Sequence, residues 1–435
     1  MEITGFDGNE HAEVEIVRPD RHRHLLASLR SGGPVIARGA GLNYCLASGG
    51  SGMRSVDATL FNRILAFDAE HGRIVVEAGI RLGDLYRFTV PRGWLLSIMP
   101  GHPSITVGGC IGSDIHGKNH CREGTFGNVV RALTLLHQDH GEVRCSRDQN
   151  PQAFELTLGG FGLTGFVLSA ELQLKRLAGH GMRVERSAVA SLVAAVEAME
   201  QHRDADALYS WHNLNRRGIG FGRGFVYAGR QCEARVDPRI TWKELRAETR
   251  GKGHPRSLAR FCTKMGTSAY EASQRISRKI ATHSLLGATF PIRGKEIYFH
   301  LYGRRGFREY QFLVPRASWP ATVAAVERIL TTRGATIGLA SLKLFAGRGS
   351  QLRFDGSGVC LALDVVPDAA GLATLTDLDA MLVEMRGIPN LAKDSRISAA
   401  TTRRLFSEYE DFRGRLAAWD PKRRMGSALR TRLEL

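Results

Sequence analysis

The sequence predicts an α+β protein, and three observations carry that reading. Its strand-like runs are short and joined by turns or brief helices, without the regular strand–helix–strand repetition of a parallel βαβ array. A glycine fingerprint, Gly160-Phe-Gly162-Leu-Thr-Gly165, runs into FVLSAELQLK, where Phe166, Leu168, Ala170, Leu172 and Leu174 alternate with more polar residues. That alternation is a strand, whereas a dinucleotide-binding Rossmann turn requires a helix at this point. Composition then shifts after about residue 178, and a second set of strand-like runs follows.

The elements read in order as follows. Residues 19–31 predict a short helix, 34–38 (PVIAR) an apolar strand, and 39–52 a glycine-rich turn. Residues 63–79 predict two strands joined at His71-Gly72, because β-branched residues alternate in the second. Residues 82–93 predict a helix stopped by Pro91, which lacks the N–H that a helix interior needs. Strand–turn–strand is expected over 128–146, an amphipathic helix over 191–203 and an aromatic strand over 207–213. Residues 232–285 are polar, basic and poorly periodic, and a loosely ordered, mobile excursion is expected there. EIYFHLYG, REYQFLVP, SLKLFAG and GVCLALDVVP predict a second sheet, covered by helices over 319–334 and 372–387.

Composition narrows the function classes. The 435 residues are 43% hydrophobic and 24% charged, as in soluble globular proteins. No apolar run approaches the roughly 18 residues of a membrane span. The acidic N-terminus has no apolar core of a secretory leader, so a cytoplasmic or peripherally membrane-associated protein is expected. Seven irregularly spaced cysteines do not form a disulfide framework. The net charge of +17, with Arg403, Arg404, Arg413, Arg415, Lys422, Arg423, Arg424, Arg430 and Arg432 near the end, suits nucleic acid, anionic lipid or phosphorylated substrates. No helix-turn-helix, zinc-finger or RNA-recognition signature accompanies it, so no nucleic-acid partner is expected.

Residues 106–128, TVGGCIGSDIHGKNHCREGTFGN, hold the densest chemistry. Gly108, Gly109, Gly112 and Gly117 permit close backbone approach, and hydroxyls, amides, His116, Lys118 and His120 stand between them. The segment reads as a wall built against a large polar cofactor, with a histidine presented to it. Asp114, His116, His120 and Cys121 are also metal-ligand types, but the setting lacks a second cysteine pair and no metal is expected.

IARGAGLNY, MPGHPSITVGGCIGSDIHGKNH, GTFGNVVRALTLL, GGFGLTG, YQFLVP, LKLFAG, GVCLALD, AKDSR and the closing RRMGSALRTRLEL occur in this order over nearly the whole chain. Together they resemble the vanillyl-alcohol-oxidase/p-cresol-methylhydroxylase (PCMH) superfamily and, within it, the decaprenylphosphoryl-β-D-ribose 2′-oxidase family. The resemblance implies an FAD-binding domain over 1–178, an antiparallel-sheet substrate domain over 179–389, and a segment, 390–435, that returns to the FAD domain. It implies FAD held non-covalently by Arg38, Gly39, Gly41, Asn43, Tyr44, Pro100, Gly101, Thr106, Gly109, Ser113, His116, Gly117, Asn119 and Val167. It places Lys118, Trp211, Tyr302, Gln311, Lys343, Cys360 and Lys393 around the substrate. Lys393 would be the catalytic lysine, His116 would share or relay the proton, and Lys118 and Lys343 would hold a phosphate.

The implied reaction is FAD-dependent oxidation of the 2′-hydroxyl of a polyprenylphosphoryl-β-D-ribose, or a related glycosyl phosphate, to the ketone. This is the first half of a 2′-epimerisation that supplies arabinose for a cell wall. An NADH-dependent short-chain reductase would complete it, and an anionic membrane would be a peripheral contact. The alternatives are an FAD-dependent oxidase or dehydrogenase of a soluble sugar, aldonolactone or natural-product alcohol, and a non-catalytic binding protein on the same fold. Two departures from the family pattern stand at Gly358, where it has asparagine, and at Asn390, where it has tyrosine.

Overall fold

The computed structural model describes residues 1–30, 32–234, 258–292, 301–303 and 306–435. The alternation around Gly72 closes a hairpin, Ile64–Asp68 against Arg73–Glu77. Gly72 turns it at φ 66°, a left-handed conformation that glycine enters without a Cβ penalty. The hairpin forms one edge of a five-stranded antiparallel sheet completed by Phe166–Gln173, Val130–His137 and Gly141–Ser146. The Gly160–Gly165 turn therefore does feed a strand. A parallel three-stranded sheet joins Glu15–Val17, Arg54–Asp57 and Val35–Arg38. Helix Leu82–Thr89 stops just before Pro91, which lies in a 3-10 turn, Val90–Arg92.

The wall at 106–128 is more regular than its glycines suggest. It holds helix Val107–Ser113, whose first turn is capped by the Thr106 hydroxyl accepting from the Gly109 N–H, and a short helix, His120–Glu123. Gly108 and Gly112 let the first helix lie directly on neighbouring backbone. The Gly108 N–H donates to the Ala78 carbonyl at 2.7 Å, and the Phe161 N–H donates to that of Gly112 at 2.7 Å. The fingerprint turn thus clamps the wall from behind.

Two four-stranded antiparallel sheets follow. The first runs Ala207–His212, Gly224–Cys232, Gly181–Val189, Ile280–Ser284. The second runs Ile337–Ala346, Ser357–Val365, Arg308–Val314, Ile388–Pro389. Helices Trp319–Arg333 and Ala369–Glu384 share the core of the second sheet.

The expectation of a loosely ordered 232–285 is corrected in its described part, which holds an 18-residue helix, Ala259–Ile276, and the edge strand Ile280–Ser284. Its buried positions, Ala259, Thr263, Thr267 and Glu271, are small or polar, so no inward-facing apolar stripe marks it as a core helix. Residues 235–257 of that stretch, and 296–300 of the EIYFHLYG run, lie outside the described residues. The C-terminal residues pack on the first sheets. Met425 bridges Val35, the Ala428 N–H donates to Gly49, and Trp419 Nε1 donates to the Thr164 carbonyl. Among the described residues no helix is long and apolar enough to cross a membrane.

Candidate active site

The site begins with a period of two. In the second sheet, register sets Glu309 opposite Asp364, Leu313 opposite Cys360, and Lys343 opposite Cys360. Side chains alternate across a sheet, so Glu309, Gln311, Lys343, Cys360 and Asp364 share one face. The intervening Tyr310, Phe312, Val314, Leu342, Leu344, Leu361, Leu363 and Val365 form the other, in one apolar core with the two helices. One face is a hydrophobic core and the other carries polar groups that are nonetheless buried: Gln311, Glu309, Cys360 and Asp364 are all at most 9% exposed.

The polar face meets the wall. His120 of the short helix stacks on Phe345 with ring centroids 3.7 Å apart and accepts from the Ala346 N–H. That docking sets His116 over the sheet. The segment after Ile388–Pro389 closes the third side with Asn390 and Lys393.

Hydrogen-bond direction can be traced through these groups. The Ala392 N–H donates to Asn390 Oδ1 at 3.1 Å, so Asn390 Nδ2 faces Gln311 and donates to its Oε1 at 2.7 Å. Gln311 Nε2 is thereby turned to His116 Nε2, 3.0 Å away, and to Cys360 Sγ at 3.3 Å. An amide N–H facing Nε2 needs a lone pair there. The proton then sits on Nδ1, which has the Gly117 carbonyl 3.1 Å away to receive it. Burial, and next the Lys343 cation, hold the His116 pKa well below that of a free imidazole, in keeping with this neutral tautomer.

Three lysines converge here. Lys393 Nζ is paired with Glu309 Oε1 and stands 5.2 Å from the centre of the Tyr44 ring. Lys343 Nζ is 3.4 Å from His116 Nδ1, and burial lowers its pKa to about 8. Lys118 donates to the Thr289 carbonyl at 2.5 Å; burial and then Lys343 lower its pKa to about 7. Burial pushes Asp364 up to about 8 against the pull of Lys393, so near neutrality it is largely protonated. Glu309 is left facing the lysines, and the centre is short of negative charge. Burial raises Cys360 to about 11, which keeps it a thiol and a poor nucleophile.

The residues at the turn fit an FAD. Gly39 is pressed on Thr106 so closely that a Cβ would lie 2.2 Å from its Oγ1. Gly41, at φ 69°, leaves space that the Arg38 guanidinium enters. Arg38 Nη1 and Asn43 Nδ2 both donate to the Ser48 hydroxyl, at 3.1 and 2.6 Å. Just before Thr106, His102 Nε2 and Ser104 Oγ are buried without a hydrogen-bond partner among the described residues. Cations at a close-packed glycine turn, orphaned polar atoms and an excess of lysine suit an anionic, acceptor-rich cofactor.

Other expected residues spread further. Gly117 rides on the backbone of Ile98 and Met99, and Gly101 faces Ile292. Pro100 and Ser113 are half-buried. Val167 pairs with Leu135 just past the fingerprint turn. The Asn119 amide is turned away, onto the carbonyl of Ala205. Trp211 lies in an aromatic cluster with Phe225 and Tyr270. Tyr302 is fully buried behind Tyr44, with Phe6 and Phe307, its hydroxyl 3.5 Å from Asp364 Oδ2. The four metal-type side chains diverge: Asp114 accepts from the Gly127 N–H, His120 faces Asp355 and Cys121 points to Asn119.

Sequence reasoning missed Glu309 and Asp364. A signal was present for Asp364, an acid inside an otherwise apolar strand, GVCLALDVV, whereas Glu309 stands among the polar Arg308 and Gln311. Gly358 also gains a reason. A Cβ there would fall 2.0 Å from the Val314 carbonyl oxygen, so glycine is dictated by the approach of the neighbouring strand.

The FAD-binding-domain family matches residues 16–146. Decaprenylphosphoryl-β-D-ribose oxidase of Mycolicibacterium smegmatis is 29% identical over 426 residues, spanning 94% of this chain and 91% of the relative. An uncharacterized protein from the mprA 5′ region of Streptomyces coelicolor is 30% identical over 378 residues, 82% of this chain and 100% of the relative. L-gulonolactone oxidase of Mus musculus is 36% identical over 112 residues, 26% of this chain and 25% of the relative.

Proposed function

The chain belongs to the PCMH-type FAD flavoproteins and is an FAD-dependent oxidoreductase acting on a CH–OH group, and from that membership we propose that it oxidises the 2′-hydroxyl of a polyprenylphosphoryl-β-D-ribose or a related glycosyl phosphate to the ketone. The observation that carries this reading is the buried, lysine-rich face between the wall and the second sheet. Three lysines facing one site, with Glu309 paired to Lys393, suit a substrate that brings its own phosphate.

Bound FAD supplies the two-electron acceptor. The chain's residues do the rest. Lys118 and Lys343, in their protonated forms, hold the phosphate by charge-assisted hydrogen bonds. Lys393 orients the hydroxyl. As the hydroxyl proton passes to Lys393 Nζ, one of the lysine's own protons passes to Glu309 Oε1, with which it is already paired. His116 stays neutral, with its Nδ1–H engaged by Gly117 and its Nε2 by Gln311. Neither ring nitrogen is left for a covalent bond, which supports dissociable FAD. Trp211 and Tyr302 serve as the aromatic surroundings of the pocket. A ketone product calls for a separate NADH-dependent short-chain reductase if the 2′-epimer is to result, and a lipid-borne substrate brings this basic protein to an anionic membrane surface.

The test is anaerobic titration of the flavin with a polyprenylphosphoryl-ribose, free ribose and an aldonolactone. Bleaching by the glycosyl phosphate alone is the expected result. Bleaching by the aldonolactone instead would move the assignment to the second reading, a soluble sugar acid or lactone, which the gulonolactone oxidase match favours. Protein that cannot take up FAD at all would remove both.

A further inference from the structure

Helix Ala259–Ile276 is inside out. Its buried positions are Ala259, Thr263, Thr267 and Glu271, and Glu271 accepts from Asn213, Arg216 and Arg275. Its outer stripe, at the three- and four-residue spacing of one helical face, is Leu258, Phe261, Met265, Ala269, Ala272 and Ile276. Of these Phe261 is 62%, Met265 56% and Ile276 89% exposed. A water-facing helix ordinarily has the reverse polarity. Ile280, 45% exposed on the edge strand that follows, extends the stripe.

Charge says what covers it. Residues 258–284 contain five basic side chains and one acid, the buried Glu271; Arg260 pairs with Asp368 and Arg275 with Glu271, and Lys264, Arg278 and Lys279 stand exposed as the cationic rim. An apolar face rimmed by lysine and arginine, with no exposed carboxylate, is the pattern of a helix lying in the interface of an anionic bilayer. There the apolar side chains enter the acyl boundary and the cations reach the headgroups. The same helix roofs the Trp211 cluster through Tyr270, so its inner face looks toward the first sheet's aromatics while its outer face would meet lipid.

We infer that helix Ala259–Ile276 and the start of the following strand are the surface by which the protein docks on anionic membrane. The inference rests on the membrane contact proposed above and names where it is made.

The experiment is co-sedimentation of the FAD-loaded protein with vesicles of phosphatidylcholine alone or mixed with phosphatidylglycerol, at low and high salt. The wild type should bind the anionic vesicles and release as salt rises. Phe261→Asp with Met265→Asp should lower partitioning about ten-fold or more, and Lys264→Glu with Arg278→Glu and Lys279→Glu should erase the anionic preference. Flavin absorbance should remain intact in both variants, which reports their fold. Wild-type binding by the Asp variant would sink the helix but leave membrane contact standing. No binding by the wild type would sink both, while flavin bleaching by glycosyl phosphate would stand apart from either. Strong hydrogen-exchange protection of the outer stripe without lipid, or self-association lost in the Asp variant, would also overturn the inference, in favour of another segment of the chain or a second copy.

Discussion

Asn390→Asp is the sharpest single perturbation of the site. The carboxylate can still accept from the Ala392 N–H, as Asn390 Oδ1 does at 3.1 Å, but it has no proton to give Gln311 Oε1, which now accepts one at 2.7 Å. Leaving a buried carbonyl against a carboxylate costs at least one unsatisfied hydrogen bond, about 1–3 kcal/mol. Gln311 escapes by rotating its amide, which presents Oε1 rather than Nε2 to His116 Nε2. The ring must then carry its proton on Nε2, and Nδ1 turns a lone pair to the Gly117 carbonyl that it now donates to at 3.1 Å. The rotation restores the first bond, so the loss that remains is the Nδ1–H bond to Gly117, about 1 kcal/mol. The variant should therefore bind FAD but reduce it about five-fold more slowly, since each 1.4 kcal/mol is a factor of ten. Its ¹⁵N-histidine spectrum should show His116 moving from the Nδ1–H to the Nε2–H tautomer. A purely structural role for Asn390 predicts the slower rate without the exchange of tautomers. An unchanged His116 spectrum in a folded, FAD-loaded variant refutes the hydrogen-bond chain from Asn390 through Gln311 to His116.

Four further outcomes follow from the geometry. Lys393→Ala should keep the flavin colour and lose about 10²–10⁴ in the rate of flavin reduction by substrate, and Glu309→Gln should fall in the same range; full activity in either removes the proton-sharing pair. Lys118 and Lys343, with pKa values lowered to about 7 and about 8, carry charge below those values and lose it above them. Glycosyl-phosphate affinity should therefore weaken as pH rises through that window, by about ten-fold or more, while a neutral sugar shows no such trend. Phe312→Ala, on the apolar face, should cost about 3–5 kcal/mol in urea unfolding. Acid-denatured protein should have the mass of the bare polypeptide; a flavin-sized increment would contradict the engaged ring nitrogens of His116.

The parts of the fold that obey a simple period were legible. The strand after Gly165 could be told from a helix because Phe166, Ala170 and Leu172 alternate into the core, and they are buried as that pattern requires. Helix Leu192–Glu200 was legible from its amphipathic pattern over 191–203, and the structure adds a cap, the Ser191 hydroxyl accepting from the Ala194 N–H. The wall at 106–128 was legible as chemistry but not as structure, because glycine is a poor helix former. Gly108 is tolerated in the helix because a Cβ there would crowd the Ala78 carbonyl oxygen at 3.2 Å. Long-range consequences were not legible at all. Nothing local tells that Asn119 will spend its amide on Ala205, or that Gly358 answers to the Val314 carbonyl.

The two largest surprises are one phenomenon seen from opposite sides. Glu309, Gln311 and Asp364 are polar residues at positions where burial would favour apolar ones, and Phe261, Met265 and Ile276 are apolar where exposure would favour polar ones. A chain selected for stability alone would reverse both sets, since a buried carboxylate must find a partner or a proton and an exposed aromatic stripe invites association. Most of the first set is balanced inside the molecule: Glu309 by Lys393, Gln311 by Asn390 and His116, and Asp364 by holding its proton beside the Tyr302 hydroxyl, its Oδ1 being left without a partner among the described residues. Within the described residues the second set has no such internal balance, because its outer side chains face away from every apolar cluster of the core. The asymmetry separates their roles. A violation that the protein balances internally marks where a small polar ligand is handled, and one that it leaves open marks where something larger and apolar must complete the surface.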